Sequence, residues 1–199
     1  MTGRTAGWSA QQQQWLTADF GRRTVRVVVA GVAGGVGATT LAALVARTVA
    51  RARPARVALM DHSGGTLGER AGSAPSDGWA APGQAQISVE CAGAVALLPR
   101  ETLVHVPGVV PLVVAPWHPE GLHLADRAAA GLPGALVVPI DTAWLARSSR
   151  RMPDRLGLPY DGGLTAPGTV RDDVLRASTH DVVTTIAVEA LARAHGLRT

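Results

Sequence analysis

Apolar and polar segments alternate along the chain in lengths that predict strands and helices in turn. Continuous apolar runs rich in valine are typical of strands buried on both faces of a parallel sheet, and they occur at 25–31, 56–61, 108–116 and 134–141. The pattern predicts helices over 38–52, 119–131, 142–152, 171–179 and 181–197. This order predicts an α/β fold, with a single doubly wound, mostly parallel sheet and helices on both faces.

The remaining segments complete this outline. Shorter strands are predicted at 85–91 and 94–99, and a strand and turn at 156–164. At the start of the chain, "QQQQ" and irregularly spaced aromatic residues predict a flexible arm over residues 1–23, with a short partner-binding helix as the alternative. Residues 24–199 then form the folded domain.

Composition narrows the class of protein. The 199 residues are 47% hydrophobic and 17% charged, which is typical of a globular domain with one core. All 19 basic residues are arginine, because the chain contains no lysine. A net charge of +4 favours weak attraction to anions and does not by itself indicate nucleic-acid binding.

Three features of the sequence bear on the cellular compartment and on membrane insertion. The single cysteine, Cys91, excludes an intramolecular disulfide, and the first residues lack the pattern of a signal peptide. The uncharged window 27–46 has the length of a membrane span, but its central glycines divide it into a strand and a helix. We therefore expect a cytoplasmic protein without an integral membrane span.

The stretch "GGVGATTLA" lies between a predicted strand and a predicted helix. Glycines at 34, 35 and 37 let the backbone curl closely around an anion, so that N–H groups and the helix dipole point toward it. Thr39 lies in the first helical turn, where a hydroxyl would reach a magnesium ion. The alternative is a glycine-rich turn that only lets strand and helix pack.

This loop resembles the deviant Walker A motif, KGGxGKTT, of the ParA/MinD family of SIMIBI-class P-loop ATPases. Alanines at 33 and 38 stand where that motif has its two lysines. The matching residues are Gly34, Gly35, Val36, Gly37, Thr39 and Thr40. "RVALMDHS", "VVAPWHPEGLHLADRAA" and "LGLPYDGGL" resemble later stretches of the same family, and the pilus-positioning (TadZ/CpaE-like) branch is the most similar.

The resemblance implies a P-loop NTPase-like domain that binds ATP or ADP with Mg²⁺ weakly. The implied metal ligand is Thr39, and Asp61 corresponds to an aspartate that positions the attacking water. His105, in "TLVHVPG", stands where the Walker B aspartate is expected. The implied nucleotide-binding residues are Gly34, Gly35, Val36, Gly37, Ala38, Thr39, Thr40 and Pro159.

Loss of both lysines and one aspartate predicts a pseudo-ATPase rather than an efficient enzyme. By resemblance, it would act as a positioning or regulatory binding module in a partition, pilus, conjugation or secretion system. Its partner would be a second copy of itself or a paralogous ATPase. A slow ATPase that uses an arginine in place of the P-loop lysine is one alternative.

The loop also resembles the TGxxxG[IV]G motif of short-chain dehydrogenases, through Gly31, Gly35, Val36 and Gly37. Asp61 would then bind the ribose hydroxyls of NAD. Catalysis in that family needs a Tyr-x-x-x-Lys pair, which a chain without lysine lacks. This alternative is therefore a non-catalytic NAD(P)-binding Rossmann protein.

A second candidate site is a group of arginines spaced to share one side of a helix and its exit. It would bind DNA without sequence preference or an acidic protein partner, whereas a solvated helix face is the other interpretation. The group consists of Arg147, Arg150, Arg151 and Arg155.

Overall fold

The computed structural model describes residues 8–53, 56–74, 78–97, 106–141 and 156–196. Its strands form one five-stranded sheet in the order β2-β3-β1-β4-β5, and every neighbouring pair is parallel. The strands are β1 (Val25–Gly31), β2 (Val57–Asp61), β3 (Ile87–Ala94), β4 (Val109–Pro116) and β5 (Leu136–Ile140). The predicted α/β fold with a single parallel sheet is confirmed.

The described helices connect or flank these strands. They are α1 (Ala10–Thr17), α2 (Ala38–Ala52), α3 (Leu67–Ala71), α4 (Pro119–Ala130) and α5 (Ala177–Ala194). Short 3₁₀ turns follow β3 at Val95–Leu97 and precede α5 at Gly162–Leu164 and Asp172–Val174. None of the helices in the described ranges is long and apolar enough to cross a membrane.

Side chains of β1 alternate between two apolar cores, one on each face of the sheet. Val27 and Val29 pack into the larger core with α1, α2, α3 and α5, whereas Val28 packs with Ala125 of α4. Helices α2 and α4, which follow the adjacent strands β1 and β4, therefore leave on opposite faces. In open α/β sheets, a crevice for ligands lies outside the carboxyl ends of the strands at such a point.

The amino-terminal segment belongs to the packed fold from residue 9 onward. Ser9 and Gln12 form a capping box at the start of α1, and Leu16 is buried. Arg53, at the end of α2, donates hydrogen bonds to the carbonyl oxygens of Leu16 (2.6 Å) and Ala18, and its guanidinium lies over the Phe20 ring. Leu16 and Phe20 of this segment thus pack in the core, whereas the sequence predicted a flexible arm over residues 1–23.

Two other predictions differ from the structure. The strand predicted at 94–99 is wrong for residues 95–97, because Gly93 has a φ of +71° and the chain then enters a 3₁₀ turn. The α-helix predicted over 171–179 is wrong for residues 171–176, where only a 3₁₀ turn forms at Asp172–Val174; α5 begins at Ala177, since Asp161 accepts a hydrogen bond from the Arg176 backbone N–H and fixes this end. The helix predicted over 142–152 lies outside the described residues.

Candidate functional site

The loop between β1 and α2 turns sharply because of its glycines. Gly35 and Gly37 have φ values of +74° and +95°, in the left-handed region that favours glycine. The loop also folds back over Gly31, where an added Cβ would lie 2.5 Å from Val36 Cγ2 and 2.8 Å from the Ala33 oxygen. This curled path therefore depends on glycine at each of these three positions.

The main chain of this loop offers a continuous run of hydrogen-bond donors. No described residue accepts a hydrogen bond from the backbone N–H groups of residues 33–40, and the first paired N–H is that of Leu41, bonded to the Gly37 oxygen at 2.9 Å. Within the described ranges, no side chain caps the start of α2. Unpaired N–H groups at a helix amino end, together with the helix dipole, favour an anion there.

A cleft of about 220 Å³ lies between the glycine loop and the carboxyl end of β5. Pockets for drug-sized ligands are roughly 300–1,000 Å³, so this cleft would enclose only part of a larger ligand. Its lining residues are Gly35, Gly37, Thr40, Ile140, Asp141, Leu158, Pro159, Tyr160, Asp161, Leu164 and Thr165.

The cleft brings together some of the residues that the sequence predicted as a nucleotide site. Gly35, Gly37 and Thr40 line one side and Pro159 lies among the residues opposite. Four other predicted residues belong to the loop and the start of α2 without lining the cleft, namely Gly34, Val36, Ala38 and Thr39.

Thr39 faces a thiol rather than a carboxylate. Its hydroxyl lies 3.5 Å from Sγ of Cys91, a fully buried residue of the neighbouring strand β3. Magnesium prefers oxygen ligands, usually one or two carboxylates together with phosphate and water. The groups around Thr39 therefore do not fit a magnesium ion.

Both carboxylate oxygens of Asp61 accept hydrogen bonds within the turn that leads into α3. Its Oδ1 accepts hydrogen bonds from the backbone N–H and hydroxyl of Ser63 (2.9 and 2.6 Å), and its Oδ2 accepts one from the Leu67 N–H (2.8 Å). Burial raises the pKa of Asp61, but these hydrogen bonds outweigh it, so the pKa lies below its usual value. The carboxylate is thus ionised and holds a structural turn.

The strand order also separates Asp61 from the glycine loop. Strand β3 lies between β1 and β2, so the end of β2 is not beside the loop that follows β1. In dinucleotide-binding sheets of order 3-2-1-4-5-6, the second strand is next to the first, which brings its acidic residue to the ribose. This geometry counts against the NAD(P)-binding alternative.

Asp161 lies in the opposite wall of the cleft and is almost fully buried. Its carboxylate accepts hydrogen bonds from the Gly163 N–H (2.9 Å), the Arg176 N–H (2.8 Å) and the Thr179 hydroxyl (2.6 Å). Burial raises the pKa of Asp161, but these donors outweigh it and lower the pKa below its usual value. The charged carboxylate therefore fixes the wall of the cleft to α5.

Several predicted residues lie outside the described residues. They are His105 and the four arginines Arg147, Arg150, Arg151 and Arg155. Conversely, sequence reasoning did not select Asp141, Leu164 or Thr165, which line the cleft. For Asp141 a signal existed, because it is the last residue of the buried strand predicted over 134–141.

Comparison with known proteins does not identify the chain. No protein-family model matches it, and no curated protein matches it either. The ParA/MinD resemblance of the glycine loop therefore stays a hypothesis.

Proposed function

We propose that the protein binds an adenine nucleotide, ATP or ADP, weakly in this cleft and does not hydrolyse it efficiently. The observation that carries this proposal is the run of unpaired backbone N–H groups at residues 33–40, which adjoins the cleft. Such donors bind phosphate without any basic side chain. Pro159, which is partly exposed at the cleft, gives a base an apolar surface to pack against.

The same geometry argues against efficient hydrolysis. Phosphoryl transfer relies on positive charge at the transferring phosphate, and alanine occupies positions 33 and 38. Asp61 is held in its turn by Ser63 and Leu67. Removing one preorganised donor from a catalytic site commonly costs about a hundredfold to a thousandfold in rate. Phosphate binding by main-chain N–H groups depends less on the missing lysines than catalysis does.

For the cellular role, the resemblance supports a positioning or regulatory module that associates with a second copy or with a paralogous ATPase. The helical spacing of Arg147, Arg150, Arg151 and Arg155 supports an acidic partner or DNA at this group, and the net charge of +4 adds only weak attraction. An affinity pull-down from the native cell is the direct way to find that partner.

The ligand class can be tested by thermal shift and calorimetry on the full chain. ATP and ADP, each with and without Mg²⁺, are compared with NADPH at equal concentration. We expect the adenine nucleotides to raise Tm more than NADPH, with ADP binding changed little by Mg²⁺. A clear shift with NADPH and none with ATP or ADP would favour the NAD(P)-binding alternative instead.

A further inference from the structure

One guanidinium beside the cleft is held entirely by neutral oxygen atoms. Arg70 donates from Nε to the Thr40 hydroxyl (3.2 Å) and from Nη1 to the Gly168 oxygen (2.9 Å). It also donates to the carbonyl oxygens of Ala166 and Leu164. Within the described part of the chain, no carboxylate forms an ion pair with it.

The position of Arg70 is fixed by the short helix α3. Leu67 and Ala71 of this helix are fully buried and pack in the same core as α2. The Leu67 N–H is bonded to Asp61, so the turn after β2 sets where α3 begins. The Arg70 guanidinium is therefore held beside the cleft by a helix that is packed into the core.

The bond from Arg70 to Thr40 determines how the Thr40 hydroxyl is used. A hydroxyl has one hydrogen to donate and two lone pairs to accept with. Because Thr40 accepts from Arg70, its own hydrogen remains available, and no described residue takes it. Thr40 lines the cleft, so this hydrogen is available to an acceptor bound there.

The other bonds of Arg70 reach the opposite wall. Leu164 and Thr165 line the cleft, and Arg70 binds the carbonyl oxygens of residues 164, 166 and 168 around them. A single side chain thus links the Thr40 side of the cleft to the segment that faces it. Its contacts set the spacing between the two walls.

Arg70 also brings charge to a loop that has none of its own. Burial lowers its pKa and the nearby Glu69 opposes this, but an arginine stays protonated at neutral pH. With no paired carboxylate among the described residues, its field acts on the neighbouring cleft. A positive charge near the start of α2 adds to the attraction of the unpaired N–H groups for an anion.

We propose that Arg70 is a positioning residue for nucleotide phosphate, which orients the Thr40 hydroxyl toward the ligand and holds the two walls of the cleft together. This inference rests on the proposed function, because it assumes a phosphate-bearing ligand at the glycine loop. In this proposal, Arg70 of α3 supplies part of the positive charge that lysines supply in the Walker A motif at the positions where this chain has Ala33 and Ala38.

A double-mutant cycle with ADP as the probe tests this role. Arg70→Met and Thr40→Val are measured singly and together by calorimetry, and Thr40→Ser is the variant that keeps the hydroxyl. Each single change is expected to weaken ADP binding about tenfold, the worth of one hydrogen bond to a charged group. Because the two residues act as one unit, the double variant should bind only slightly more weakly than either, and Thr40→Ser should bind like the unmodified protein.

Arg193→Met is the matched control. Arg193 also donates to main-chain carbonyls, those of Gly134 and Ala135, but these residues do not line the cleft. ADP affinity should stay within about twofold in this variant. If Arg70→Met is unfolded at the assay temperature, Arg70→Lys replaces it in the cycle, with the same coupling to Thr40→Val expected.

The outcomes separate the two proposals. If the unmodified protein binds ADP but the Arg70 and Thr40 effects multiply, or Arg70→Met leaves the affinity unchanged, the Arg70 inference is overturned and the proposed function stands. If the unmodified protein binds neither ADP nor ATP at millimolar concentration, the proposed function fails and the inference falls with it.

Discussion

The two longest helices begin in opposite ways beside the same cleft. Helix α2 follows Gly37 with no side-chain cap, and its first N–H groups have no acceptor among the described residues. At the start of α5, the Asp161 carboxylate already accepts from the Arg176 N–H and the Thr179 hydroxyl. The positive end of α5 is thus neutralised within the fold, whereas that of α2 is available to a ligand.

This contrast orients any anion in the cleft. Asp161 and Thr40 both line it, one with a negative carboxylate and the other beside the donor-rich loop. A phosphate is repelled from the first and attracted to the second. The difference between the two helix ends shows how one fold can use the same local feature for stability at one place and for binding at another.

The largest effect on this contrast between the two helix ends is expected from removing Asp161, the acid at the start of α5. Asp161→Ala leaves the buried Thr179 hydroxyl unpaired and removes three hydrogen bonds to a charged group. We expect a loss of about 2–4 kcal/mol in the free energy of unfolding. Urea denaturation followed by circular dichroism measures it.

The exposed Asp173, which pairs with the exposed Arg171, provides the control for this change. Asp173→Ala should alter the stability far less than Asp161→Ala. Equal effects of the two substitutions would show that Asp161 does not anchor α5.

Adding a positive charge at the start of α2 should increase the difference in anion binding between the two helix ends. Ala38→Lys puts a cation at the first residue of the helix, next to the unpaired N–H groups. A charge-assisted hydrogen bond of about 1.5–3 kcal/mol should strengthen ATP binding at least tenfold. Titration calorimetry gives the affinity.

Ala10→Lys adds the same charge at an exposed position of α1 and is the control. Its affinity for ATP should equal that of the unmodified protein. An unchanged affinity in Ala38→Lys would mean that the phosphate does not lie at this end of α2.

The smallest expected effect concerns the glycines. Gly35 and Gly134 have nearly the same φ, +74° and +73°, and neither has an atom near the place of an added Cβ. Replacing either by alanine should lower stability by about 1–2 kcal/mol, because the left-handed conformation disfavours a side chain. Only Gly35→Ala should also weaken ADP binding, by roughly tenfold, since it shifts the N–H groups that hold phosphate. Equal affinities in the two variants would contradict the role of the loop.

Local sequence signals predicted the central elements well. The bounds of β1 and α2 agree with the predictions over 25–31 and 38–52, because a valine-rich run, a glycine cluster and an alanine–leucine repeat follow one another. Strands β2 and β4 agree to within one residue. At the site, Gly35, Gly37, Thr40 and Pro159 were predicted and meet at the cleft.

What the sequence missed depends on contacts between distant parts of the chain. The segment "QQQQWLT" has little apolar periodicity, yet α1 is anchored by buried Leu16 and by Arg53 from α2. Arg70 lies within residues 62–85, a stretch rich in Gly, Ser, Ala and Pro, and such a composition is typical of a loop rather than of a helix like α3. Its partners at 164–168 follow only from the folded structure. No local pattern specifies such partners.

The docking of α1 has a practical consequence for anyone who shortens this chain. A protein expressed from residue 24, the boundary that the sequence suggests, would lack the Leu16 and Ala18 carbonyl oxygens that receive the Arg53 guanidinium. It would also uncover the apolar surface now covered by Leu16 and Phe20. Freshly exposed apolar surface promotes aggregation. Truncations and fusion partners are therefore better placed before Ser9 than after Phe20.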